Sequence, residues 1–321
     1  MSRPQDTTLK SHSAIERQTV AGIAFSVLST MLLTVMFFLP QLGNVPANPI
    51  QSAFLRYVGG SLVLGALAPL RILPEPVSSR KLSRAAIWLH LLRASVGMST
   101  LMFTLFAASR VPIANVQAIL CSHGALILLF AVAIDRESVS WHHIVTIALA
   151  VSGAILVADP VTSEANWYNL AGYGAAAVAS ACWATEVFLF RNAAKHQTTI
   201  LTMLIVNLFG LLVLTVPGYY SWRAVSMADA LTLTAMGPLA VSAQFAQLAA
   251  LKRAPLTIVA PFRYANVLFA AALGIAFLNQ IPDGQAITGF VLIIASAIYI
   301  YVRTIAHSKY TQSATPPLKE R

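Results

Sequence analysis

Ten stretches of roughly 20 predominantly apolar residues follow one another through this chain, at 20–40, 50–69, 85–109, 112–134, 141–158, 169–190, 198–217, 228–250, 255–278 and 285–303. A helix of that length crosses the hydrocarbon core of a bilayer. The spacing therefore predicts an all-α integral membrane protein with ten transmembrane helices. These stretches use most of the 321 residues, so no soluble domain fits between them. Composition agrees: 57% of residues are hydrophobic and 10% charged, where a soluble domain carries about 25% charged residues. That balance argues against a water-soluble enzyme.

The formal net charge is +10. In a soluble protein such a surplus would suggest nucleic acid. Here it reads as basic cytoplasmic loops, and no nucleic-acid partner is expected. With the N-terminus inside, the inner segments collect Arg3, Lys10 and Arg17, then Arg71, Arg80, Lys81 and Arg84, then Arg136, Arg191, Lys195, Lys252, Arg253, Arg303, Lys309, Lys319 and Arg321. The outer loops hold Arg110 and Arg223, while Arg56, Arg93 and Arg263 fall inside spans. Both termini are thus expected in the cytoplasm, with the chain in a bacterial inner membrane. Segments 1–19 and 304–321 read as short disordered tails. Asp6, Lys10, Glu16 and Arg17 lead straight into a long span, unlike a cleaved signal peptide. Cys121 and Cys182 lie in apolar stretches, which indicates neither a disulfide nor a zinc site.

The two halves of the sequence resemble each other. At an offset of 143, Ala107, Arg110, Pro112, Val116 and Ala133 align with Ala250, Arg253, Pro255, Val259 and Ala276. Ile144, Ala154 and Ile155 likewise meet Ile287, Ala297 and Ile298. Nearer the N-terminus an offset of 150 pairs Ala21-Gly22 with Ala171-Gly172 and Phe38-Leu39 with Phe188-Leu189. This divides the chain into repeats at 20–158 and 169–303, each with five spans. An odd number of spans makes the second copy enter the membrane from the opposite side. Inverted repeats of this kind surround a midplane site in secondary transporters.

Several motifs resemble a known family. Arg-Val-Pro-Ile-Ala at 110–114, followed by a span and Asp135-Arg136-Glu137, is similar to the EamA-type half-repeat of the drug/metabolite transporter superfamily. The second copy, from Arg253-Ala254-Pro255 through Ala260-Pro261-Phe262-Arg263-Tyr264 to Ile281-Pro282-Asp283, resembles it more closely. His90-Leu91-Leu92-Arg93 and Phe54-Leu55-Arg56-Tyr57 also fit its pattern. The resemblance covers about residues 20–303 and implies ten helices around a central site lined by both halves. It departs at Ser122-His123-Gly124, where the family often has proline, and at Gln280, where it often has glutamate.

A charge at the bilayer centre is costly, so intramembrane ionisable groups are functional candidates. On the third span His90, Arg93, Gly97, Thr100 and Thr104 recur at helical spacing and form one stripe. Arg93 either holds an anionic group with its planar fork or snorkels to the cytoplasmic end. On the ninth span Arg263 and Asn266 share a face with Ala270 and Gly274, and Tyr264 offers a surface on which a planar substrate can stack. Pro261 should kink that span. His123, half-way along the fourth span, is either a proton relay or a neutral hydrogen-bonding group. Gln244 and Gln247 on the eighth span can bond a ligand or a helix. Trp183 and Tyr173 would add aromatic walls if they face inward.

Arg56, one turn after Ser52, reads as a structural anchor. Glu186 reads as a solvated partner of Arg191, yet it is the best carboxylate for proton coupling. Small residues on the fifth and tenth spans (Ala150, Ser152, Gly153, Ala154; Gly289, Ala295, Ser296, Ala297) suit scaffold packing or a homodimer contact.

No phosphate-binding Gly-rich loop, nucleophile elbow or metal-spaced cluster is visible, so no cofactor and no enzymatic activity are expected. The expectation is a secondary transporter for a small polar or amphipathic metabolite, with a cavity bordered by Arg93, His123, Gln244, Arg263, Tyr264 and Asn266. The surplus of intramembrane arginine favours an anionic or heteroaromatic substrate. An exporter of lipophilic cations and, further off, a passive channel are the alternatives.

Overall fold

The computed structural model describes residues 4–43, 48–67, 84–124, 126, 130, 141–158, 167–193, 199–254 and 259–313. Ten α-helices lie among them: α1 (Pro4–Phe38), α2 (Pro49–Leu67), α3 (Arg84–Ala108), α4 (Ile113–Leu120), α5 (Trp141–Ala158), α6 (Trp167–Ala193), α7 (Thr199–Tyr220), α8 (Met227–Arg253), α9 (Ala265–Leu278) and α10 (Gly284–Ser313). Each falls on one of the apolar stretches. Short 3-10 turns at Leu39–Gln41 and Ala260–Tyr264 follow α1 and precede α9.

Among the described residues, four helical segments are long and apolar enough to cross a membrane: Arg17–Gln41, Pro49–Leu67, Ile87–Ala108 and Met203–Tyr220. Ile144–Val157, Phe262–Leu278 and Gly284–Ser296 are shorter apolar helices. The outer surface is what lipid requires. Leu62, Leu212, Val216 and Val291 are among many large apolar side chains that are exposed, a surface that suits contact with lipid. Trp88, Trp141, Trp167, Tyr219, Tyr220 and Trp222 are exposed near helix ends, where aromatic rings settle at the headgroups.

Three local features differ from the sequence reading. Helix α1 begins at Pro4 and α10 runs to Ser313, so helix extends into segments expected to be disordered. Adding a residue to a formed helix is far easier than nucleating one. The fourth span is interrupted: α4 stops at Leu120, and Cys121, Ser122 and Gly124 donate to carbonyls three residues back. Part of its remainder, including 131–134, lies outside the described residues. Finally, Pro261 does not kink an α-helix. It sits in the first positions of the 3-10 turn, where its missing N–H leaves no intrahelical bond unmade.

The most extensive packing joins α1 with α8, α5 with α10, α3 with α6, α2 with α8 and α2 with α7. Exchange each helix for the one five places along, and the pattern returns. The α1·α8 contact becomes α6·α3, α2·α8 becomes α7·α3, and α4·α6 becomes α9·α1; α2·α7, α5·α10 and α4·α9 map onto themselves. Side chains repeat this. A Cβ on Gly210 would stand 2.5 Å from the Tyr57 ring, while one on Gly60 would strike the Asn207 amide. Tyr57 and Asn207 are 150 positions apart, as are Gly60 and Gly210. The α5·α10 seam is as close: a Cβ on Gly153 would lie 2.6 Å from the Gly289 carbonyl, and one on Gly289 2.5 Å from that of Gly153. Beside α2 and α7, the main apolar core gathers Met36, Phe38, Leu105, Val116, Leu214 and Met236.

Candidate substrate site

The α3 stripe faces the interior. His90, Arg93, Thr100 and Thr104 are buried and Gly97 half-buried, while Leu92 and Phe103 are exposed. Both threonine hydroxyls donate to carbonyls one turn back, of Val96 and Thr100. Arg93 meets Glu186 of α6, with Nη2 3.8 Å from Oε1. Gly97 makes room for this pair, since a Cβ there would stand 3.0 Å from the Glu186 carboxyl. The partner of Glu186 is therefore on another helix, nearly a hundred positions away. The side chain of Arg191, the partner read from sequence, lies outside the described residues.

One turn before Glu186, Trp183 faces inward. Its ring stacks on His123, with centroids 4.4 Å apart and planes at 8°. The Arg263 guanidinium lies 5.0 Å from the Trp183 centroid, a cation–π distance. His123 Nδ1 is 2.6 Å from the Leu120 carbonyl oxygen. A carbonyl only accepts, so this nitrogen carries the proton. The broken end of α4 is tied to α6 as well, because the Ser122 and Ser180 hydroxyls are 2.8 Å apart.

Arg263 and Tyr264 come from the 3-10 turn, and Asn266 from the first turn of α9. A Cβ on Gly124 would stand 2.7 Å from the Tyr264 hydroxyl, so Tyr264 reaches the same break in the fourth span. Asn266 donates to Gln117 Oε1 at 2.9 Å and accepts from Cys121 Sγ at 3.2 Å. Arg93, His123, Arg263, Tyr264 and Asn266 are thus brought to neighbouring elements, linked through Trp183, Glu186 and the 121–124 break. Gln244 is half-buried on α8 and hydrogen-bonds none of them. Tyr173 accepts a hydrogen bond from Asn115 at 3.4 Å, away from this cluster. A cleft of about 220 Å³ between α4, α5, α9 and α10, lined by Asn115, Gln280 and Asp283 among others, holds none of the six predicted residues.

Charge in the site is unbalanced. Glu186 is in coulombic reach of Arg93, Arg56 and Arg263, three cations to one acid among the described residues. Arg56, which the sequence reading set aside, is 7% exposed. Sequence analysis also missed the Cys121–Asn266–Gln117 chain; Asn266 is 145 positions from Cys121 and 149 from Gln117, and nothing in that spacing signals contact.

The model of the EamA-like transporter family matches this sequence twice, over residues 20–158 and 170–302. The chain belongs to that family. It is a membrane-embedded transporter, in line with its apolar exposed helices. The pseudopaline exporter CntI of Pseudomonas aeruginosa strain UCBPP-PA14 is 23% identical to this EamA protein over 281 residues, covering 87% of this chain and 95% of the relative. The protein of the same description from strain PAO1 is 22% identical over 279 residues with the same coverage. A solved structure described as "Crystal structure of protein" shares the fold with a TM-score of 0.66, at 17% identity, over 88% of this chain and 97% of that one.

Proposed function

We propose that this EamA transporter exports a small anionic or heteroaromatic metabolite by alternating access. Its two five-helix halves, inverted with respect to each other, form ten spans in a bacterial inner membrane with both termini in the cytoplasm. The five-place exchange symmetry of the packing supports the inverted repeat, and the basic residues of the inner loops support the orientation. The exporters of Pseudomonas aeruginosa that resemble this chain support the outward direction.

The observation that carries the substrate class is the junction of Arg93, Glu186, Trp183 and Arg263. A helix of the first half, a helix of the second and the 3-10 turn meet there around a buried positive surplus. Burying net charge without a counter-ion is expensive, so an anionic group is the ligand that suits the place. The stacked pair His123 and Trp183, with Tyr264 nearby, offers flat apolar surface for a planar ring. Because the site joins the halves, a ligand held there senses their relative rotation, as alternating access requires.

The test is a thermal-stability screen of the purified full chain with amino acids, dicarboxylates, nucleoside derivatives, flavins and lipophilic cations at matched ionic strength. A ligand that binds the folded state alone raises the melting temperature by mass action. A saturable shift with one anionic or heteroaromatic class, reduced in Arg93→Gln and Arg263→Gln, is expected, and counterflow in proteoliposomes then measures transport. Shifts confined to lipophilic cations would overturn the charge argument and make the chain a drug exporter.

A further inference from the structure

Resting on the anionic-substrate reading, we infer that Ser52 and Arg56 of α2 form a second anion subsite, so that the substrate carries two acidic groups rather than one.

The arginines differ in what already satisfies them. Arg93 has Glu186 at 3.8 Å, and Arg263 lies on the Trp183 ring. Arg56 has no carboxylate within ion-pair distance among the described residues, yet it is 7% exposed. Its Nε and Nη1 are buried and donate to nothing among the described residues. The Tyr57 ring, 4.4 Å below the guanidinium carbon, supports the group without using its donors. Ser52, four residues earlier, is 1% exposed and its Oγ is likewise buried with no partner among the described residues. Residues four apart lie on one helix face. The hydroxyl and the guanidinium therefore present adjacent donors along one line of α2. An oxyanion accepts from both, and a bidentate acid fits the arginine fork.

The charge arithmetic points the same way. Arg56, Arg93 and Arg263 against Glu186 leave two positive charges uncompensated among the described residues. One acidic group on the substrate would leave a buried arginine in the membrane interior, whereas two bring the site to neutrality. Depth is compatible. Arg56 lies seven residues inside the outer end of α2 and Arg93 nine inside the cytoplasmic end of α3, so each is about 10–14 Å from its own face and, across a core about 30 Å thick, they differ in depth by about 6 Å.

The experiment is isothermal titration calorimetry on the full chain in nanodiscs, with glutarate and butyrate as probes of equal charge per carboxylate at matched ionic strength. Wild type is expected to bind glutarate about tenfold or more tightly than butyrate, the value of a charge-assisted hydrogen bond. In Arg56→Gln that ratio should collapse toward one, and in Ser52→Ala it should shrink severalfold. Arg56→Lys keeps the charge without the fork and should give an intermediate ratio, and it carries the test if the glutamine variant does not fold. Arg93→Gln and Arg263→Gln should weaken both probes together. A wild-type ratio near one, or an undiminished ratio in Arg56→Gln and Arg56→Lys, overturns the second subsite while leaving the anion reading intact. Binding of neither acid by wild type overturns the anion reading and the subsite with it.

Discussion

Arg93 and Glu186 pair at 3.8 Å between α3 and α6, and the equivalent place in the other half holds two methionines. The 143-residue offset carries Arg93 to Met236, and the 150-residue offset carries Glu186 to Met36. Both methionines are buried in the main apolar core. The place that holds an ion pair in one half is thus apolar in the other.

Removing one member of the ion pair leaves a buried charge. Glu186→Met alone should destabilise the chain by about 1–3 kcal/mol, below the figure for a fully enclosed pair because Glu186 keeps some contact with solvent. The double variant Arg93→Met, Glu186→Met should recover most of that loss and still fail to transport. Melting temperatures of the single and double variants in one detergent check this. A double variant no more stable than the worse single would show that the packing around α3 and α6 cannot hold two methionines.

Trp183 supports both His123 and Arg263. Trp183→Leu keeps apolar volume but removes the ring face, at about 1–2 kcal/mol of cation–π energy in a desolvated place. Ligand affinity should fall about tenfold, and Trp183→Phe should lose less. Equal affinity in wild type and Trp183→Leu would show that the ring does not help to place Arg263.

Asn266 joins α9 to α4 through Gln117 and Cys121. Asn266→Leu leaves the Gln117 carbonyl oxygen buried without its donor, at about 1–3 kcal/mol. Replacing both, Asn266→Leu with Gln117→Leu, should be less damaging than the single change. The comparison of unfolding midpoints decides it, and additive losses would argue against a shared bond.

The α5·α10 seam depends on hydrogen at two positions. Gly153→Val or Gly289→Val drives a side chain into the opposing carbonyl, so each should cost about 1–3 kcal/mol and lower the yield of folded protein. Tolerance of valine at both sites would mean that the helices part more easily than their contact implies.

The helices could be read directly from sequence because apolar length is a one-dimensional property. The stretch 141–158 became α5 and 85–109 became α3 within a residue at each end. The break after Leu120 was less visible, since Ser122-His123-Gly124 contains no proline and its 3-10 bonds depend on the groups around it. Within the site, Arg93, Arg263 and Asn266 stood out as polar residues in apolar runs. What the sequence concealed was pairing. Glu186 has an arginine five residues away, and only the three-dimensional packing of α3 on α6 gives it Arg93 instead. Arg56 reads as a structural anchor from its place about two turns inside the outer end of its span; its burial comes from α7 and α8 covering α2, which spacing along one helix does not reveal.

The Tyr57–Gly210 and Asn207–Gly60 contacts have a consequence in the language of oligomers. An interface in which residue i of one subunit meets j of the other, and j meets i, is isologous. Here one polypeptide supplies both sides, as a covalently fused dimer would. The two ends of the seam are not identical: an aromatic ring fills one glycine notch and an amide the other. An alteration at Tyr57 will therefore be felt first at a glycine on a helix 150 positions downstream of its own, and the matching alteration at Asn207 need not be tolerated equally.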